Sequence, residues 1–307
     1  MSVLAAILSA SIALQPSAAS STPPQPPADE EVTVLDEIVV DGRPLEDYVR
    51  DFVSEIGATA RDRGLARWRD RVCVGVANMD PEAAQYVADR VSEVALDLGL
   101  RPGEPGCRPD LIIVAADDGA AMADALVRRQ EHNFRVGHLS TDLGAAALRD
   151  FRSMEKPVRW WATSMPVNSE NGMRAVRLPG DVDPEGRPVA PAINQVGGSR
   201  LISRIRDDLI RSVVIIDMPK AEGASLRQLA DYTAMVSLAQ IDPKADASGY
   251  NSILNLFSAG RDPEGLTEWD MSYLRALYSP NAAEVTTGRQ TSAVLTQIER
   301  DDASRAE

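Results

Sequence analysis

Histidine, cysteine and positive charge are scarce in this chain, and each shortage removes a class of function. Only two histidines, His132 and His138, occur in 307 residues. Both fall in the polar stretch E-H-N-F-R-V-G-H, where an imidazole is ordinarily solvated or hydrogen-bonded instead of metal-bound. A serine or cysteine nucleophile would have only these two as its base. The two cysteines, Cys73 and Cys107, lack Cys-x-x-Cys spacing and form no structural-zinc pattern with the histidines. Lys and Arg number 32 against 46 Asp and Glu, a formal net charge of -14, and no basic block offsets it. That balance argues against nucleic acid and anionic lipid as partners. No apolar run is long enough to span a membrane. Gly-x-Ser-x-Gly, the P-loop signature and a Gly-x-Gly-x-x-Gly after a strand are all missing.

Hydrophobic residues make up 44% of the chain, enough for one sizeable core. Val3 to Leu14 is a short apolar run ending near Ser17-Ala18-Ala19, which fits the small-residue cleavage rule of a signal peptide, although no Lys or Arg precedes it. Residues 1–19 are therefore expected to be a signal and 20–42, rich in Pro, Ser and acid, a flexible spacer. Residues 43–280 are expected to form a single α/β domain and 281–307 a polar tail. Export makes a periplasmic or secreted location the expectation. In that setting an even cysteine count is most simply one Cys73–Cys107 disulfide, the alternative being two buried thiols in a cytosolic protein.

Hydrophobic periodicity orders the elements. Residues 43–58 read as a helix; 71–77 as a strand carrying Cys73; 81–99 as a helix behind an Asp80 N-cap and Pro81; and 110–116 as a strand. Helices are expected over 118–130 and 143–151, and a strand over 158–165, on which Trp160 and Trp161 must face opposite ways. Residues 167–198 read as a long loop; its Asp181 and Asp183 lack the rest of an EF-hand pattern. Residues 201–210 are ambiguous between strand and helix, and 212–218 form the strongest strand. The fold class expected is α/β (α+β): a mixed sheet flanked by helices.

Ser225 to Ile241 follows that strand. Ser225 and Gln228 have capping-box spacing, and the helix is apolar on every side, so it is buried. Its Asp231 is an awkward carboxylate for which Arg227, one turn back, is the expected partner. Ser252-Ile253-Leu254 and the helix L-T-E-W-D-M-S-Y-L-R-A-L-Y over 266–278, capped by Thr267 with Asp270 at N3, come next.

This order resembles the catalytic half of a zincin metallopeptidase of the metzincin or matrixin kind, over about residues 200–280. There a strand leads to a helix bearing HExxHxxGxxH, a Ser-Ile-Met turn underlies the metal, and an L-x-x-x-D helix closes the unit. The resemblance places the two helix histidines at Asp231 and Met235, the glutamate at Tyr232, the glycine at Leu238 and the third histidine at Ile241. It therefore implies a frame without its zinc ligands, no cofactor, and a zincin-like C-terminal half that is not a zinc peptidase, since catalysis needs three ligands and a carboxylate base. The chain is also similar to exported bacterial proteins, which implies a compartment and no activity. Separately, Asp36 to Gly42 looks like the TonB box of outer-membrane receptors.

The first expectation is an exported, non-catalytic protein binding a peptide or envelope protein, with Trp160, Trp161, Asp231 and Tyr232 as binding candidates. A second is a metal-independent hydrolase using Asp217 and Asp231 as paired carboxylates, and a third is a TonB-linked accessory protein.

Overall fold

A computed structural model describes residues 45–58, 64–135, 143–175, 184, 205–279, 292 and 294–300. The expected signal and spacer, the 36–42 segment, His138, Asp181 and Asp183 lie outside the described residues.

The helices are α1 (Leu45–Ile56), α2 (Pro81–Asp97), α3 (Gly119–Arg129), α4 (Glu131–Phe134), α5 (Gly144–Ser153), α6 (Leu226–Leu238) and α7 (Glu268–Tyr278). The strands are β1 (Arg71–Val72), β2 (Val74–Ala77), β3 (Arg101–Pro102), β4 (Leu111–Ala116), β5 (Val158–Asn168) and β6 (Ile205–Asp217). Among the described residues, one 3-10 turn covers Ile253–Asn255. The main sheet runs β2-β4-β6-β5, with β2, β4 and β6 parallel and β5 antiparallel at one edge. No helix among the described residues is long and apolar enough to cross a membrane.

Two details depart from the sequence reading. The first strand breaks at Cys73: β1 pairs with β3 in a separate two-stranded sheet, and β2 pairs with β4. Cys73 is disulfide-bonded to Cys107, with a Cα–Cα distance of 6.2 Å. Secondly, the described part of the ambiguous 201–210 stretch, residues 205–210, joins its neighbour as one long strand, β6. A bulge opposite Thr163 and Ser164 leaves Ile210 out of the register, which is why alternation is hard to read there.

Helix ends follow local chemistry. The Asp80 carboxylate accepts from the Glu82 and Ala83 amides with Pro81 at the first position, and Asp118 accepts from Ala121 N. Ser225/Gln228 and Thr267/Asp270 both form reciprocal capping boxes.

The period of two along β6 divides the core. Val214 and Ile216 join α1, α2, α6 and α7 on one face of the sheet; Val213 and Ile215 join α3, α4 and α5 on the other. Each such buried aliphatic side chain contributes roughly 1.5–3 kcal/mol. Residues 294–300 are helical, and Val294 and Ile298 belong to the first cluster. The N-terminal part is sewn to the C-terminal half: Ala58 N donates to Gln240 O, Asp242 N to Ile56 O, and Trp68 Nε1 to Ser237 O at 2.9 Å. Arg67 donates to the carbonyl of Leu277 at the end of α7.

Candidate functional site

Asp231 is fully buried in α6, and its main partner comes from α2. Arg90 Nε donates to Oδ1 at 2.6 Å, Leu266 N donates to Oδ2 at 3.0 Å, and Arg227 Nε stands 3.9 Å from Oδ2. The expected partner, Arg227, is thus the outermost contact, with a side chain 64% exposed. The hydrogen bond to Asp231 raises the Arg90 pKa, working against partial burial. A side chain on Gly265 would collide with the Asp231 carboxylate, so glycine is what lets the 265–266 backbone reach it. The missed signal was Arg90 itself, placed three residues after Val87 and four before Val94 on the apolar stripe of α2.

Met235 is fully enclosed in the core, while Tyr232 and Ile241 line a pocket of about 330 Å³. Its apolar wall is completed by Trp160, Leu254 and Phe257, and its polar side by Lys156 and Asp242 among others. The Tyr232 ring meets Trp160 at 6.1 Å and Phe257 at 5.4 Å, both edge to face, and Trp160 Nε1 donates to the Ile241 carbonyl at 2.9 Å. Burial pushes the Tyr232 phenol above its ordinary pKa. Lys156 gives its ammonium to the Pro243 carbonyl, and burial holds its pKa below the usual lysine value, with Asp242 opposing. One wall of this pocket is the start of the edge strand β5, which among the described residues bonds only to β6 through its backbone from Val158 to Met165.

Trp161 lies on the opposite face, where Nε1 donates to the Phe134 carbonyl and the ring packs on Phe151. The two tryptophans face opposite ways, and only Trp160 reaches the pocket.

Asp217 shares the face of Trp161. Its Oδ2 accepts from Gly119 N at 3.0 Å and Lys220 Nζ at 2.6 Å, and its Oδ1 accepts from Lys220 N. Burial alone would raise its pKa, but the Lys220 ammonium and the two amides outweigh it and hold the carboxyl below its ordinary value. Asp217 and Asp231 therefore sit on opposite faces of the sheet and share no hydrogen-bond partner; the structure does not bring them together.

The 252–254 turn and α7 are joined through Asp270. Ser252 Oγ donates to Oδ1 at 2.6 Å; Ile253 N, Thr267 N and Thr267 Oγ1 donate to Oδ2. Burial raises the Asp270 pKa and these donors oppose it. Among the described residues no three His, Cys, Asp or Glu side chains converge as a metal-holding group.

The site is thus an aromatic-floored pocket beside the edge of a mixed α/β sheet. Comparison of the chain with protein-family models, with curated proteins and with solved structures gave no match.

Proposed function

We propose that this chain is an exported, non-catalytic protein with a zincin-like frame, which holds a peptide or protein segment by seating one of its side chains in the Trp160–Tyr232–Phe257 pocket. The observation that carries the reading is the use made of Tyr232 and Ile241. At positions where the zincin resemblance expects a general base and a metal ligand, these residues instead build the apolar wall of a pocket. Asp231 contributes no free carboxylate beside them, since Arg90 and Leu266 N take both its oxygens. An extended segment seated there would run beside β5, and strand addition is a common way for such an edge to bind peptide. The Cys73–Cys107 disulfide supports an oxidising compartment, and with it export.

The test is panning of random linear peptides on the immobilised protein, followed by calorimetry with the enriched sequences. The expected result is saturable one-to-one binding that Phe257→Ala weakens about tenfold or more, in line with loss of a buried aromatic anchor. Phe257 is only partly buried, so the variant should remain folded. Metal analysis of the purified protein is expected to find no stoichiometric zinc. One zinc per chain, lost in Asp231→Ala, overturns the reading, as does peptide binding indifferent to Phe257.

A further inference from the structure

Arg159 pairs with Ile215 in the β5–β6 register and so faces α3 and α5, away from the pocket. It is 2% exposed. Its Nη1 donates to the Phe151 carbonyl at 3.1 Å, while Nε and Nη2 have no hydrogen-bond partner among the described residues. A guanidinium does not shed its proton near neutral pH, so both donors and the charge persist. A buried donor left unpaired costs about 1–3 kcal/mol, and more when charged.

Nε–H and Nη2–H lie side by side in one plane and form the edge that grips two oxygens at once. This chain uses that edge elsewhere. Arg206 gives Nε to Asp208 Oδ1 at 2.7 Å and Nη2 to Oδ2 at 3.3 Å, and Arg152 gives the same two atoms to the single oxygen Oδ1 of Asp124. Arg159 has the same edge in a more buried place, without the carboxylate.

The neighbouring acids are committed. Asp217 is taken by Lys220 and the Gly119 amide, Glu155 pairs with Lys220 at 3.0 Å, and Asp118 caps α3 through Ala121 N. All three attract the guanidinium through space without bonding to it. The guanidinium also lies against the first turn of α3, an 11-residue helix: a Cβ added to Gly119 would stand 3.1 Å from Arg159 Nε and 3.1 Å from Asp217 Cβ. Glycine there keeps open the approach of the guanidinium to the helix end, whose dipole favours negative charge, while Asp217 already holds the Gly119 amide and Asp118 the Ala121 amide. Ala116 and Asp217, paired at the ends of β4 and β6, put this cluster at the carboxyl end of the parallel strands, the usual place for ligands in open α/β sheets.

We propose that the Nε/Nη2 edge of Arg159, beside the N-terminal end of α3, is a binding site for a small oxyanion of the carboxylate or phosphate class. It is separate from the peptide pocket, which lies on the other face of β5.

The test is thermal unfolding of the dialysed full chain with inorganic phosphate and with acetate in separate arms, against chloride at equal ionic strength. The expected result is a saturable rise in Tm in at least one arm, the stronger arm naming the class. Arg159→Lys keeps the charge and loses the two-pronged edge, so it should weaken the response about tenfold. Arg206→Lys, whose edge faces Asp208, should leave it intact. No saturable rise in either arm, or an undiminished rise in Arg159→Lys, overturns the site. If that variant does not fold, selenate-soaked wild-type crystals decide: an anomalous peak within hydrogen-bond distance of Nε and Nη2 upholds the proposal, and an ordered water there alone defeats it.

Discussion

On the α2/α6 face of the sheet a buried carboxylate, Asp231, meets its cation directly, with Arg90 Nε at 2.6 Å and a backbone amide on the second oxygen. On the α3/α5 face a buried cation, Arg159, stands beside a carboxylate already held by Lys220 and Gly119 N. Both faces bury a charge, but among the described residues only Asp231 has its hydrogen bonds completed. A closed set of partners marks a charge that serves the fold. The spare donors of Arg159 are what the proposed oxyanion would take.

Substitutions that treat the two faces alike test this contrast. The largest effect belongs to Asp231→Ala, which strands Arg90 and the Leu266 amide; removing one partner of a buried pair costs roughly 3–5 kcal/mol. Urea unfolding should show the midpoint falling accordingly, and a loss under about 1 kcal/mol would mean that Arg90 simply swings to water. Arg159→Met removes a charge whose hydrogen bonds are incomplete, so in anion-free buffer it should leave stability unchanged or raise it. A loss as large as that of Asp231→Ala would erase the distinction between the faces.

The smallest effect is a pH dependence. The folded pKa of Asp217 lies below its ordinary value of 3.8, so its contribution is fully present above that value and is lost as pH falls through the depressed one. The Tm difference between wild type and Asp217→Asn should be constant above about pH 5 and shrink on acidification below the ordinary pKa. A difference that stays constant down to about pH 2 would show that the Lys220 and Gly119 bonds do not favour the ionised form.

Local signals carried most of the fold. The capping spacing at Ser225/Gln228 and Thr267/Asp270, the Asp80-Pro81 start of α2 and the apolar runs of β4 and β6 all act within a few residues, and the structure agrees with each. Partners separated by long stretches of chain were harder to read. Arg227 is the nearest cation in sequence, but its side chain stays mostly in water, while Arg90, 141 residues away, is the one that packing brings to Asp231. Asp217 and Asp231 invited pairing because they lie close in the chain; the sheet between them was not visible. The alternation of Trp160 and Trp161 was legible, since a strand has period two, but which of them met a pocket depended on where the 241–258 segment folds back.

The stitching of residues 56–68 to residues 237–278 bears on the order in which this protein can be made. Phe52, whose ring meets Tyr250, Trp269 and Tyr273, and Trp68, whose indole bonds to Ser237, leave the ribosome long before those partners exist. Such distant pairings are slow to form and leave apolar surface open in the meantime. Phe52 and Trp68 are therefore among the last residues to be buried, and a chain cut short before α7 would lack the Trp269 and Tyr273 contacts of Phe52.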